Sequence, residues 1–468
     1  MRTPAGSREA REIEPIPASL QPLAEDLGRP RGMRAGLWLN IRGRSVRLRG
    51  LHRPPPGVLR WLAVLGPGFI AGVAGDDAGG IATYSSTGAA YGYELLWVLV
   101  LITVSLAVVQ EMAGRLGAAT GRGLLDLIRE RFGIGWALFA VTVILVANGG
   151  LVVSEFVGIG AALDLFGISK YIVVPLAALL VWYLVVAGNY ARVEKVFVAM
   201  AVAFLAYPVA AVLGHPDWGA VARGAVVPRL HADTAELLLV VALIGTTLTP
   251  YQQLFQQSTV VEKGVARRHY GPERADSYVG ALTSNLISAF IIIAVGATLF
   301  VAGKHDINTA ADAAQALKPV AGSAATLLFA VGLLGASLLA AAVLPLATAY
   351  AVSEAFGFRK GVNLDFRRAR FFLSLFTALI VVGAAIALIP HLPVIQLLLG
   401  IQVLNGILLP VILVFIMLLV NDRRLVGDLK NTRLYNVLGW GTVALVTTAV
   451  VVSLVSQLLS TLGVIAGG

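Results

Sequence analysis

The sequence predicts an all-α integral membrane protein of eleven spans, arranged as two inverted five-helix repeats and one further helix, with the first helix of each repeat broken. Three observations predict it. The 468 residues are 57% hydrophobic and only 13% charged, against roughly 25% charged in a soluble domain. Apolar runs of roughly 20 residues, long enough to cross the hydrocarbon as a helix, recur from Trp61 to Val455. Two of these runs are interrupted by glycine, proline and polar residues at corresponding places, the pattern of an inverted repeat. Runs this long and this numerous exclude a soluble core or a signal peptide.

In chain order, residues 1–57 are rich in Arg, Pro and Gly and end in RGRSVRLRGLHRPPPG, which predicts a basic, mostly disordered cytoplasmic tail. Within it, GLWLNI at 36–41 is placed on the membrane surface. A core of ten helices fills 58–434, with spans near 61–87, 94–116, 135–162, 169–187, 193–213, 236–261, 279–302, 322–352, 370–390 and 394–420. The eleventh helix, near 435–458, and a short end complete 435–468.

Placing the tail and every second loop on one side gathers 31 of the 36 Lys and Arg there. This sets the N-terminus in the cytoplasm and the C-terminus outside, in a multi-pass plasma-membrane protein. The net charge of +10 then reads as basic loops beside anionic lipid, and nucleic acid is not an expected partner. With no cysteine, any metal must be held by oxygen or nitrogen.

The breaks lie at Gly75-Asp76-Asp77-Ala78-Gly79-Gly80 in span one and Gly245-Thr246-Thr247-Leu248-Thr249-Pro250 in span six. Backbone groups freed at bilayer depth must find partners in protein, water or an ion. A carboxylate there costs at least ~2.5 kcal/mol unless it meets a cation, a proton or a wet cavity. The deep acids are Asp76, Asp77 and Glu155, with Glu111 near the cytoplasmic end of span two, and no Lys or Arg occupies the centre of a span. A mobile cation is the natural partner.

Asp77 sits at the break, where carbonyls such as that of Ala74 can add oxygens. Asp76 joins it on one ion only if the segment is unwound, and is otherwise an acid at the cavity edge. Span six offers Thr246, Thr247, Thr249 and Tyr251, then Gln252, Gln253, Gln256 and Gln257. These are hard oxygen ligands suited to Mg²⁺, Mn²⁺ or Ca²⁺, although interhelical hydrogen bonding is an equal use for the glutamines. In span ten, Gln402 and Asn405 share one helical face.

With these residues in view, GPGFIAGVAGDDAGGIAT, AAYGYELLWVL, GRLGAATGRGLLDLIRERFG and ALIGTTLTPY resemble the Nramp superfamily of divalent-metal transporters, from Gly66 to Asn421. The resemblance implies the LeuT fold and import of metal into the cytoplasm, usually with protons. The family's first-helix DPGN reads Asp77, Ala78, Gly79 and Gly80, so the Asp ligand is kept and the Asn side chain is lost, leaving room in the cavity. Its sixth-helix MPH reads Thr249, Pro250 and Tyr251, without the soft thioether that helps favour Mn²⁺ over Mg²⁺. Its tenth-helix glutamine matches Gln402, and its metal-binding carbonyls fall at Ala74 and Thr246. Its third-helix acidic pair reads Val152 and Glu155, which weakens the expectation of proton coupling and leaves Glu155 for a proton or water path.

The resemblance therefore implies a carrier and not an enzyme, close to the branch that includes magnesium transporters, with a broad site for Mg²⁺ and Mn²⁺ at Asp77, Ala74, Thr246, Thr249 and Gln402. Asp76, Gly80, Glu155, Tyr251, Gln252 and Asn405 are assigned to the cavity or proton path. The metal is cargo, no resident cofactor is expected, and the partners are divalent ions and the bilayer, with a monomer as the default unit.

The alternatives are the family's proton-coupled Mn²⁺/Fe²⁺ importer and an amino-acid symporter of the same fold, which an acid at the break disfavours. An intramembrane aspartyl protease needs carboxylates on two helices, and no second deep Asp exists on another span. A membrane interaction protein without transport is the remaining reading.

Overall fold

The computed structural model describes residues 38–41, 44–47, 77–186, 206–231, 233–262, 264–265, 267, 270–318, 322–358 and 369–462. The chain divides into two compact units, 1–63 and 64–468. In the first, β1 (Trp38–Ile41) pairs antiparallel with β2 (Arg44–Arg47), Trp38 opposite Arg47 and Ile41 opposite Arg44. The strand pair adds local structure within the stretch expected to be a mostly disordered tail. Trp38, Ile41 and Val46 are strand formers, and pairing satisfies their backbone groups within the unit.

In the second unit the helices are α1 (Ala78–Tyr91), α2 (Leu96–Thr120), α3 (Leu124–Phe132), α4 (Ile134–Asp164), α5 (Lys170–Val186), α6 (Ala206–Leu213), α7 (Trp218–Val226), α8 (Thr234–Thr247) and α9 (Pro250–Glu262). They continue with α10 (Tyr270–Val295), α11 (Ala310–Ala314), α12 (Ala325–Phe356), α13 (Arg370–Ala387), α14 (Val394–Val420), α15 (Arg423–Val426) and α16 (Arg433–Thr461). Among the described residues, eight helical segments are long and apolar enough to cross a membrane, α8 and α9 counting as one, and α5 is a shorter apolar helix. They coincide with the expected spans two to four and six to eleven. Of span one, the half before Asp77 lies outside the described residues, as do 187–205 before α6.

The spans sort into two groups. α1, α2, α8, α9 and α10, which are spans one, two, six and seven, pack on one another. α4, α5, α12 and α13, which are spans three, four, eight and nine, form a second group. Each group takes the same two positions from each repeat, as an inverted repeat requires. α14 bridges them, touching α1, α4 and α8, and α16 covers α8 and α14.

Glycines permit the closest approaches. A Cβ on Gly245 of α8 would fall on the Gln402 carbonyl and 2.5 Å from the Gly406 nitrogen, so α8 and α14 meet backbone to backbone. Buried hydroxyls and amides link other helices: Asn148 Nδ2 donates to Thr348 Oγ1 at 2.8 Å, and Thr442 Oγ1 bonds Ser105 Oγ at 2.9 Å. Glu111, near the end of span two, is paired with two arginines. Arg115 lies 3.1 Å and Arg274 3.7 Å from its carboxylate, and Arg115 also donates to Asn431 Oδ1 at 2.5 Å.

Candidate metal site

Asp77 is the N-cap of α1. Its backbone is extended, with φ −73° and ψ −177°, and its Oδ1 accepts from the Gly80 N–H at 2.6 Å. An aspartate caps well because it satisfies an end N–H and faces the positive pole of the helix. Gly80 thus contributes a backbone donor where a side chain is missing. Gln402 Nε2 of α14 reaches the same Oδ1 at 3.4 Å. The contact needs Gly79: a Cβ there would overlap the Gln402 amide.

The second break is narrower than its sequence suggests. α8 runs through Gly245 to Thr247, the Leu248 N–H still bonds the Ile244 carbonyl at 2.9 Å, and only Leu248 and Thr249 leave the helix. Gly245 serves packing against α14, and Pro250 makes the break. Residues before proline avoid the helical region, and the N–H that would close on the Thr246 carbonyl belongs to position 250, where proline has none. The Thr246 carbonyl is freed by this covalent fact.

Asp77, Thr246, Thr249 and Gln402 are all fully buried. Asp77 Oδ2, Thr246 Oγ1, Thr249 Oγ1 and Gln402 Oε1 find no partner among the described residues. They sit on α1, on the α8–α9 break and on α14, three elements in mutual contact. Unpaired polar atoms at this depth cost about 1–3 kcal/mol each, so four of them suit a polar occupant. Among the described residues no group of three or more His, Asp or Glu converges. The oxygens at hand are the Asp77 carboxylate and neutral groups, with the Glu155 carboxylate at the same helix end, a donor set that fits a hard divalent ion keeping part of its water. Ala74 and Asp76 lie outside the described residues.

Glu155 of α4 comes to the same helix end: its Oε2 accepts from the Ala78 N–H at 3.5 Å and its Oε1 from Ser154 Oγ at 3.1 Å. Gly158 lets α4 close on Ala78, where a Cβ would meet the Ala78 methyl carbon. Val152 packs against Gly383 of α13, so that position is filled by an apolar contact.

Tyr251 and Gln252 are buried. Gln256 Nε2 donates to Ser277 Oγ at 3.1 Å and Gln257 Nε2 to the Arg122 carbonyl at 2.9 Å, the interhelical use of these glutamines. Both amide atoms of Gln253 remain unpartnered among the described residues. Asn405 donates to the Ile401 carbonyl of its own helix at 2.9 Å, with Oδ1 unpartnered among the described residues.

Sequence reading missed Ser154 and Tyr84, and the roles of two residues it did name: Gly79, which admits Gln402, and Thr247, whose hydroxyl meets that of Tyr84 at 3.2 Å and joins α8 to α1. Of Ser154 and Tyr84, only Tyr84 carried a signal, lying seven residues after Asp77 and so on its face.

Residues 68–456 match the family model for Nramp, natural resistance-associated macrophage protein-like. The divalent metal cation transporter MntH of Deinococcus radiodurans is 32% identical over 401 residues, covering 82% of this chain and 88% of that one. Among solved structures, the manganese transporter of Eremococcus coleocola superposes with a TM-score of 0.71 at 22% identity, covering 87% of this chain and 90% of that chain. Mhp1, a nucleobase-cation-symport-1 family transporter, superposes at 0.52 with 16% identity, over 84% and 91% of the two chains. The fold is of the LeuT type.

Proposed function

The chain belongs to the Nramp family, and from that premise we propose that it is a divalent metal cation carrier that imports Mg²⁺ and Mn²⁺ by alternating access without obligatory proton coupling. The observation that carries this reading is the set of four buried oxygens, on Asp77, Thr246, Thr249 and Gln402, with no partner among the described residues.

Asp77 supplies the anchoring charge through Oδ2 while Oδ1 holds the helix. The carbonyls of Thr246 and Ala74 and the side chains of Thr249 and Gln402 complete a shell in which some of the ion's water is retained. Mg²⁺ sheds water reluctantly, so a roomy site lacking Asn at 80 and Met at 249 suits it. The loss of the thioether removes the main soft preference for Mn²⁺. Tyr251 and Val152 replace a histidine and an acid of the family pattern, leaving Glu155 as the acid beside the site and a broken proton route. Asp76, Gly80, Gln252 and Asn405 belong to the surrounding cavity. The two helix groups give the motion its parts: spans one, two, six and seven move against spans three, four, eight and nine, opening the site first to the outside and then to the cytoplasmic face, where the N-terminus lies.

The test is uptake of Mg²⁺, Mn²⁺ and Ca²⁺ into proteoliposomes with an internal pH dye. Saturable entry of Mg²⁺ and Mn²⁺, abolished by Asp77→Ala and without acidification, is the expected result. Mn²⁺ entry alone, with acidification, would establish the proton-coupled alternative, and no metal entry would overturn the carrier reading.

A further inference from the structure

At the end of the helix bundle that carries Arg122 and Arg267, well away from Asp77, a cavity of ≈ 600 Å³ opens between the ends of α3, α14 and α16. Its charged side is built from Arg131, Arg423 and Lys430 with one acid, Asp422. That acid is already engaged: it accepts from Arg131 Nε at 2.7 Å and from the Arg424 N–H at 2.9 Å. No carboxylate lies within ion-pair distance of Arg423 or Lys430 among the described residues. The cavity therefore presents two uncompensated positive charges.

Its other wall is apolar. Phe132, Leu418 and Trp440 line it, and Leu418 and Trp440 are each 42% exposed on helices that cross the membrane. Tryptophan favours the depth where headgroups meet acyl chains. A free anion needs only the cationic side, whereas a molecule with a phosphate at one end and hydrocarbon at the other fills both.

We propose that this cavity is a binding site for an anionic phospholipid. The headgroup phosphate lies between Arg423 and Lys430, and the acyl chains run past Trp440 and Leu418 along the groove between α14 and α16. A basic pocket between transmembrane helices at a charged helix end is the arrangement that selects anionic over zwitterionic lipid. The bound lipid would brace the end of α14, the helix that carries Gln402.

The experiment is retention of phosphatidylglycerol by the full chain, reconstituted in phosphatidylcholine vesicles with and without it, re-extracted and weighed intact by native mass spectrometry. Each cation near a membrane surface contributes about fivefold to anionic-lipid affinity, so Arg423→Ala with Lys430→Ala should weaken retention roughly thirtyfold. Lys430→Arg, which keeps the charge, and Arg370→Ala, which lies outside the cavity, should retain lipid as the parent does. Thermal unfolding confirms that the variants are folded. Equal retention by the double variant would overturn the proposal. So would displacement of phosphatidylglycerol by equimolar inorganic phosphate, which would make this a site for free anions. Lipid mass is the readout, so the result stands or falls independently of metal transport.

Discussion

Gly79→Ala separates the stability of the protein from its hold on the ion. A methyl at 79 would come 2.9 Å from Gln402 Cδ and 3.2 Å from its Cγ, with the amide nitrogen closer still. These are the far atoms of a flexible side chain, so the fold absorbs the methyl by swinging the amide away, and the amide then leaves Asp77 Oδ1, 3.4 Å distant in the parent. A hydrogen bond to a charged group contributes about 1.5–3 kcal/mol, and at this length the lower figure applies, equivalent to about tenfold in affinity. Helix propensity works the other way, alanine gaining up to about 1 kcal/mol over glycine. The expected result is a KM for Mg²⁺ and Mn²⁺ uptake raised about tenfold with no drop in the unfolding temperature. Gly79→Ala combined with Gln402→Ala should then be no worse than Gln402→Ala alone, because both remove the same contact. A parental KM in Gly79→Ala, or additive losses in the pair, would refute the argument that position 79 acts through Gln402.

Other outcomes follow from the same contacts. Thr249→Met restores a thioether at the break and should raise the Mn²⁺ to Mg²⁺ uptake ratio roughly tenfold, the worth of about 1.4 kcal/mol of soft ligation; an unchanged ratio would remove Thr249 from the shell. Gly245→Ala meets backbone instead of a side chain, 2.5 Å from Gly406 N and 3.0 Å from its Cα. It should cost about 1–3 kcal/mol in detergent unfolding, whereas Gly149→Ala, which meets nothing within 4 Å, should not destabilise. Asp422 is held below the usual carboxylate range first by the Arg424 N–H and then by Arg131. Its contribution, at most about 1 kcal/mol, is present above the unfolded value near ~3.9 and lost as pH falls through the lower folded value. Asp422→Asn should therefore destabilise at neutral pH, and the difference should vanish in acid.

Much of this architecture is legible in the chain because lipid imposes it. Hydropathy places the spans, the Pro250 ring marks the break between α8 and α9 from covalent chemistry alone, and the acid at 77 marks the start of α1. What stayed hidden depends on approach in three dimensions. Gly245 reads as a breaker but proves to be a contact surface, since nothing local tells a glycine that bends a helix from one that admits a neighbour. The glutamines of α9 could be assigned only once Ser277 and the Arg122 carbonyl were seen to meet two of them. Of the two arginines at Glu111, Arg115 lies one turn along its own helix, but Arg274 on α10 lies far along the sequence. The strands at 38–41 and 44–47 are short pairs that hydropathy averages away.

The Asp77 carboxylate divides its labour between two oxygens. Because Oδ1 is bonded to the Gly80 N–H, release of the ion from Oδ2, under the proposed function, need not unravel the start of α1. A carrier that delivers its ion must then reset with nothing aboard, carrying a bare negative charge back across a medium that resists it. Under the proposed function, the Gly80 N–H still partners that carboxylate when the site is empty, which is the condition an uncoupled return requires.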